Sequence, residues 1–339
     1  MRCGSNVTPL FQGGISMFKQ AATAVALSFC VAAPAVADEL RMIVSWPETN
    51  TMAWMPGAQF KSNLEAENVD LTVAISGPES VPPFEQITPT STGVFDVIYT
   101  YPAYHSKALT VVTNAMEPDM EKIRSSGVFD MIDSYFQQEH NLKLLANVAV
   151  GSSGYHCYLK QPLSDDGTWS GRKLRGVSTY VPVIEALGGV AVNTPMSEVY
   201  AGIERGVVDG ACAPQSVYRA TKHYEVAPYR TEPTFGQLVS YIAMNLDTWN
   251  GLSDAQKAAV ESAAIKTEAD TIRIGNEANA EDMDAVAAAG SKVAELPDVQ
   301  YQKVLSAYYD GVWALAAECC GAELTDEIRQ TARDAGLTE

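Results

Sequence analysis

The stretch Trp169–Gln215, WSGRKLRGVSTYVPVIEALGGVAVNTPMSEVYAGIERGVVDGACAPQ, decides how the chain is read. Short β runs alternate in it with short helical runs. Leu174 and Val177 of KLRGVS fall on opposite faces, with Gly171 ahead of them as a turn residue, so this run is predicted as a strand. A helix is expected with Pro182 in its first turn and a stop at Gly188 and Gly189. VAVN follows as a strand, after which Thr194 is placed to cap a helix that begins at Pro195 and ends near Gly206; VVDGAC then returns to β. Alternation with connections of a few residues argues for an α/β lobe on a largely parallel sheet. Such sheets bind ligands beyond the carboxyl ends of their strands. One arginine, Arg175, lies inside the first strand of this stretch.

The same plan is legible upstream. LRMIVSW (40–46) is predicted as a strand, residues 53–66 as a helix despite Pro56 and Gly57, VDLTVAI as a second strand, residues 84–92 as a helix with an irregularity at Pro89, and VFDVIYT as a third strand. Glu85 is followed eight residues later by Gly93-Val94-Phe95-Asp96, and Glu198 at the same spacing by Gly206-Val207-Val208-Asp209. Two generic αβ units could share that spacing by chance, since glycine commonly ends helices. With the overall layout it favours two similar lobes facing each other. Residues 118–140 read as helical; LKLLANVAV is expected to cross from the first lobe to the second, and GQLVSYIAMNLDTW to carry a strand back. Ser253 and Gln256 form a capping box. The breaker-poor run to Ala289 would span about 54 Å as one helix, enough to brace both lobes.

With 339 residues the chain has room for two cores, and its formal net charge of −18 argues against nucleic acid or an anionic membrane surface as a partner. From Met17 the sequence reads as an export signal: Lys19, an apolar stretch to Ala33, and cleavage after Ala37. Residues 1–37 are therefore expected to be a leader and the rest to be extracytoplasmic, periplasmic and without direct membrane insertion, since no other apolar run reaches the ~20 residues a spanning helix needs. Cys157, Cys212, Cys319 and Cys320 remain after cleavage. Three pairings are open; Cys157 with Cys212 is a candidate, and a bond between the adjacent Cys319 and Cys320 would be strained. No spacing suggests zinc, and no metal or cofactor is expected.

GRKLRGVSTYVPVIEALGG, PMSEVYAGIERGVVDGA and LDTWNGLSDAQKAAVESAA, in that order, resemble the successive motifs of the solute receptors of TRAP (tripartite ATP-independent periplasmic) transporters. The resemblance covers most of the chain after the leader, most specifically between Trp169 and Ala264. It implies a two-lobed periplasmic binding protein fold with crossover strands and a long bracing helix, closing on a small organic acid for delivery to TRAP membrane permease subunits. Lobe I would comprise residues 38–147 with part of 236–285, and lobe II residues 148–235 with part of 286–339. The resemblance also implies that Arg175 pairs with the ligand carboxylate. Guanidinium geometry agrees, since two parallel hydrogen bonds can grip a carboxylate where lysine offers a point charge. Without the resemblance, Arg175 beside Arg172 and Lys173 could equally be a solvated strand edge. Family members often carry a second arginine where this chain has Gly154-Tyr155-His156, which makes His156 a candidate replacement. They often carry Glu-Asn where this chain has Cys212-Ala213. Both departures remove polar capacity and disfavour a sugar acid. Trp46, Tyr99, Tyr101 and Tyr180 fall at or just past predicted strand ends, and with Met196 and Gln215 they complete the candidate binding set. The group favours a monocarboxylate with an aromatic or otherwise planar body.

Catalysis is the competing class. No GxSxG, GxGxxG or GxxxxGK[ST] pattern occurs, and GSSG at 151–154 does not fit the first. His156 and Cys157, adjacent on a strand, would point to opposite faces. His105, His140 and His223 read as surface or cap residues, and Asp96 and Asp209 as turn-side hydrogen-bonding groups rather than an acid/base pair. A receptor serving an ATP-driven importer or a sensor would share the two-lobed physics; the long helix after Ser253 favours the TRAP type.

Overall fold

The computed structural model describes residues 38–338; the expected leader, residues 1–37, lies outside them. The strands are β1 (Asp38–Val44), β2 (Leu71–Ser76), β3 (Val97–Thr100), β4 (Leu142–Ala149), β5 (Tyr155–Leu159), β6 (Lys173–Arg175), β7 (Val190–Val192), β8 (Gly210–Pro214), β9 (Tyr229–Glu232), β10 (Val239–Asn245) and β11 (Lys292–Glu295). They form two sheets, ordered β2-β1-β3-β10-β4 and β11-β9-β5-β8-β6-β7. Reading the second from its other edge gives β7-β6-β8-β5-β9, and every pairing matches its counterpart in direction. β1 is parallel to β2 and β3 as β6 is to β7 and β8. β10 is antiparallel to β3 and β4 as β5 is to β8 and β9.

The sequence echo has a structural counterpart at its acidic residue. Asp96 exchanges hydrogen bonds with the backbone of Arg41, its carboxylate accepting from the Arg41 N–H at 2.8 Å. Asp209 does the same with Lys173, also at 2.8 Å. Each aspartate thus ties the start of the third strand of its unit to the first strand, a cross-strand role in place of the expected turn-side one.

Several elements are shorter than their sequence signals. β6 stops at Arg175 because the chain turns at once into the 3-10 turn Ser178–Tyr180 and the helix Val181–Ala186. β8 starts only at Gly210, since the N–H groups of Val207 and Val208 donate to Gly202 O and close the end of helix Val199–Glu204. Thr194 does not cap that helix. Its hydroxyl donates to the Glu198 carboxylate, and a 3-10 turn, Met196–Glu198, follows Pro195. The 118–140 run breaks at Gly127, whose φ of 90° separates helices Met120–Ser125 and Val128–His140. β4 and β10 do not cross between sheets. Both lie wholly in the first, and the crossings are the short segments 150–154 and 233–238.

The helix Asp254–Ala288 is continuous, about 52 Å long, and opens with the predicted Ser253/Gln256 capping box. It packs on the helix Thr51–Glu65 and β4, and farther along on the helix Gln215–Ala220. Polar ties accompany the packing: Asn63 donates to Thr267 Oγ1 at 3.1 Å, Glu268 pairs with Arg124 at 2.8 Å and accepts from the Asn147 N–H, and Gln215 donates to Asn279 O at 3.0 Å. Gly275 lets the first crossing press against the helix, because a Cβ there would stand 2.2 Å from the Gly151 nitrogen. Cys157 is disulfide-bonded to Cys212, its direct partner across β5 and β8. Cys319 is bonded to Cys320, the pairing their adjacency argued against.

His105 and His223 are buried rather than superficial. His105 Nε2 meets Thr100 Oγ1 at 3.0 Å while its Nδ1 has no partner, and neither ring nitrogen of His223 has one. All three lie at helix ends, His105 as the C-cap of the 3-10 turn Pro102–Tyr104, His223 as the first residue of the 3-10 turn His223–Glu225, and His140 as the last of its helix, its Nε2 2.8 Å from Lys107 O. Burial holds the His105 pKa down at about 3. Burial, aided by the Arg175 charge, holds that of His223 at about 4.

Two outcomes follow. Gly275→Ala gains up to about 1 kcal/mol of helix propensity yet is expected to lower stability overall, by about 1–3 kcal/mol, because the added methyl meets backbone that cannot rotate away. Gly202→Ala, whose Cβ would make only ordinary contact with Val208, should be neutral or stabilising; urea midpoints compare the two. The second outcome concerns pH. The unfolded imidazoles take up protons below about pH 6.5 while the folded ones stay neutral, so unfolding binds protons and stability falls as pH drops from about 6.5 towards 4. The loss should reach about 2.5 kcal/mol per histidine by pH 4.5, and His223→Asn should flatten part of that fall in urea titrations at pH 7 and 4.5.

Candidate functional site

Because the two units match in direction, the carboxyl ends of β1, β3, β6 and β8 converge on one cavity, as expected for parallel strands with helical connections. It encloses about 510 Å³ of space not filled by atoms, partly open to solvent. The first sheet and its loops supply Trp46, just past β1, Tyr99 and Tyr101, at and past the end of β3, and Tyr104. The second supplies Arg175 at the end of β6, with Tyr180, Met196 and Pro214. The aromatic rings touch one another: Trp46 lies 5.1 Å from Tyr99 and 6.0 Å from Tyr104, and Tyr101 stands edge-on to Tyr104 at 5.6 Å between centroids.

Arg175 is the one charged residue among those lining the cavity. It is 1 % exposed, yet none of the ion pairs among the described residues includes it. Its Nε donates to Thr194 O at 2.9 Å and its Nη1 makes a long contact of 3.5 Å to Cys212 O. Nη2 is buried without a partner. A guanidinium removed from water is costly unless its donors meet acceptors and its charge meets an anion. Here two backbone carbonyls orient the fork and the N–H groups of Nη2 are left open, an arrangement suited to donating to an anionic oxygen in the cavity.

Six of the eight residues singled out from sequence line this cavity: Arg175, Trp46, Tyr99, Tyr101, Tyr180 and Met196. His156 and Gln215 do not. They lie behind the wall, joined to each other by His156 Nε2 and Gln215 Oε1 at 3.2 Å. His156 Nδ1 meets Thr231 O at 2.8 Å, and Gln215 donates to Asn279 O on the long helix. Burial pulls the pKa of His156 below its ordinary value, against the opposing pull of Glu232 and Thr231 O. With its ring nitrogens turned to Thr231 O and Gln215 Oε1, His156 cannot stand in for a second arginine at the cavity. Tyr155 and Tyr158, which flank His156, are buried in the core as well.

Sequence reasoning passed over Tyr104, Ser216, Leu238 and Ser240, all at the cavity. Ser216 follows the end of β8 and could have been found from the strand-end rule. Leu238 ends the return crossing and Ser240 lies near the start of β10, and their approach to the site carries no local signal. No group of three or more metal-ligating residues occurs among the described residues, and none of their helices is long and apolar enough to cross a membrane.

Matches to the first curated relatives span little more than half of those proteins' length. One is the ectoine-binding periplasmic protein TeaA of Halomonas elongata, 25 % identical over 196 residues, covering 55 % of this chain and 57 % of that protein. Among solved structures, a TRAP periplasmic solute-binding protein from Desulfovibrio desulfuricans with bound sn-glycerol-3-phosphate superposes with a TM-score of 0.75 at 17 % identity, over 89 % of this chain and 98 % of that one. DctP7, a Bordetella pertussis extracytoplasmic solute receptor binding pyroglutamic acid, gives 0.75 at 15 % identity, over 88 % and 100 %. These likenesses establish the fold as that of TRAP solute-binding proteins. Residues 77–314 match the family model of DctP, bacterial extracellular solute-binding protein family 7, and the chain belongs to that family.

Proposed function

We propose that this chain is the periplasmic receptor of a TRAP transporter, binding one small organic monocarboxylate between two lobes built on its two sheets and passing it to a membrane permease. The observation that carries this reading is the buried Arg175 guanidinium, without a carboxylate partner and with Nη2 open, on the wall of a cavity that has no other charge. A single cation matches a single carboxylate; a dicarboxylate would bury its second charge unpaired, at a cost of several kcal/mol. The remaining wall is mostly aromatic and aliphatic, which supports a compact ring or planar body, an aromatic acid included, over a polyhydroxylated chain. The related TeaA and DctP7 are described as binding ectoine and pyroglutamic acid, both compact cyclic carboxylic acids. A charged donor fixed in place beside an apolar wall supports a role in binding and release.

A thermal-shift panel of pyroglutamate, benzoate, succinate and galactonate tests the ligand class. Pyroglutamate or benzoate should raise the melting temperature by about 5 °C at a hundredfold excess over Kd; a response confined to succinate or galactonate would overturn the single-charge argument. In calorimetry with the responding acid, Arg175→Ala should weaken binding by roughly 30-fold to several thousandfold, the cost of removing one partner from a desolvated charge pair. His156→Ala, behind the wall, should cost less. Near-native affinity in Arg175→Ala would remove Arg175 from the anchor role.

A further inference from the structure

Three hydroxyls meet between the sheets beside the cavity. Tyr101 Oη, just past β3 of the first sheet, lies 3.1 Å from Tyr155 Oη and 3.1 Å from Thr179 Oγ1, both carried by the second. All three residues are buried. Tyr101 lines the cavity, whereas Thr179 and Tyr155 do not.

The direction of these bonds follows from counting protons. The Tyr155 hydroxyl also faces Gln237 O at 2.6 Å and Asn114 Oδ1 at 2.8 Å. The first accepts only. The second is fixed as an acceptor because the Asn114 amide is locked on the backbone of Val239, receiving from its N–H and donating to its carbonyl. A hydroxyl has one proton to give, so Tyr155 spends it there and can only accept from Tyr101. Tyr101, its own proton committed to Tyr155, can only accept from Thr179. The result is an ordered chain from Thr179 to Tyr101 to Tyr155 to the Gln237 and Asn114 oxygens. Tyr155 and Gln237 adjoin the two crossings, so that end is anchored near the pivots. The Thr179 to Tyr101 link also joins the two sheets, beside the Tyr180 hydroxyl that bears on Tyr101 from the same side, so drawing the sheets apart there breaks it.

We infer that this link is a closure latch: Thr179, without touching the ligand, sets how long the closed form persists by donating to a tyrosine that forms part of the cavity wall. The inference rests on the binding role proposed above. A low-dielectric setting strengthens such a chain while it is complete and makes each unpaired hydroxyl costly once it is broken. A ligand that packs on the Tyr101 ring and excludes water would therefore favour the engaged state, which is the differential affinity closure requires.

The test uses the full chain after residue 37 with pyroglutamate and benzoate as probes. Thr179→Val should release a bound probe about 3- to 10-fold faster in stopped flow, the range for losing one hydrogen bond, with the association rate unchanged. Thr179→Ser should restore slow release. Tyr101→Phe, which removes the bonds to both Thr179 and Tyr155, should release faster still, and the double variant Tyr101→Phe/Thr179→Val should be no faster than Tyr101→Phe, because that change already removes the Thr179 bond. Small-angle X-ray scattering on the ligand-free protein provides an arm independent of ligand identity: Thr179→Val should have the larger radius of gyration. A folded Thr179→Val protein with wild-type scattering and wild-type release overturns the latch. If neither acid binds, the ligand class proposed above fails, and the scattering comparison alone decides the latch.

Discussion

A positive charge buried without a counter-charge is the constraint around which this molecule is arranged. Placing the Arg175 guanidinium at 1 % exposure with one unpaired donor works against folding, and neighbouring structure only partly offsets the cost through the carbonyls of Thr194 and Cys212. Both carbonyls belong to turns or strands of the second sheet, so the fork is aimed before anything binds. The charge also reaches its surroundings, keeping the buried His223 harder to protonate. An anion that completed the fork would remove the penalty without a pocket full of polar groups.

The two sheets repeat one another, but the repeat is chemically lopsided. Matching the aspartate contacts places Arg41 opposite Lys173, and therefore Ile43 opposite Arg175. Where the second sheet carries the cation, the first carries an isoleucine, and its strand ends add Trp46, Tyr99 and Tyr101. The charged side of the cavity therefore belongs to one sheet and much of its aromatic side to the other.

The periodic features were legible in the sequence because they depend on local rules. The α/β alternation, the capping box, the long helix and the strand-end placement of Arg175, Trp46 and the tyrosines all follow from residue type and spacing. What escaped depends on partners distant in the chain. His156 and Gln215 sit at strand and turn positions much like those of the lining residues, and only their mutual bond and the reach of Gln215 to Asn279 show that they face away from the cavity. His105 and His223 gave no sign of burial, since an isolated histidine has no periodicity to betray its side. The first crossing was placed too early because β4 is mostly apolar and buried almost throughout, a pattern shared by strands that pass between lobes and by strands buried in one sheet.

The position of β10 has a consequence for the order of events during synthesis. It lies between β3 and β4 in the first sheet, although nearly a hundred residues separate it from β4. Until residue 245 is available, β3 and β4 have no neighbour to pair with across that gap. By then every strand of the second sheet except β11 has already emerged. The amino-terminal half cannot mature as an independent unit ahead of the carboxyl-terminal half, as is usual for multidomain chains. The two sheets must be completed almost together, from contacts far apart in sequence, and such topologies fold slowly.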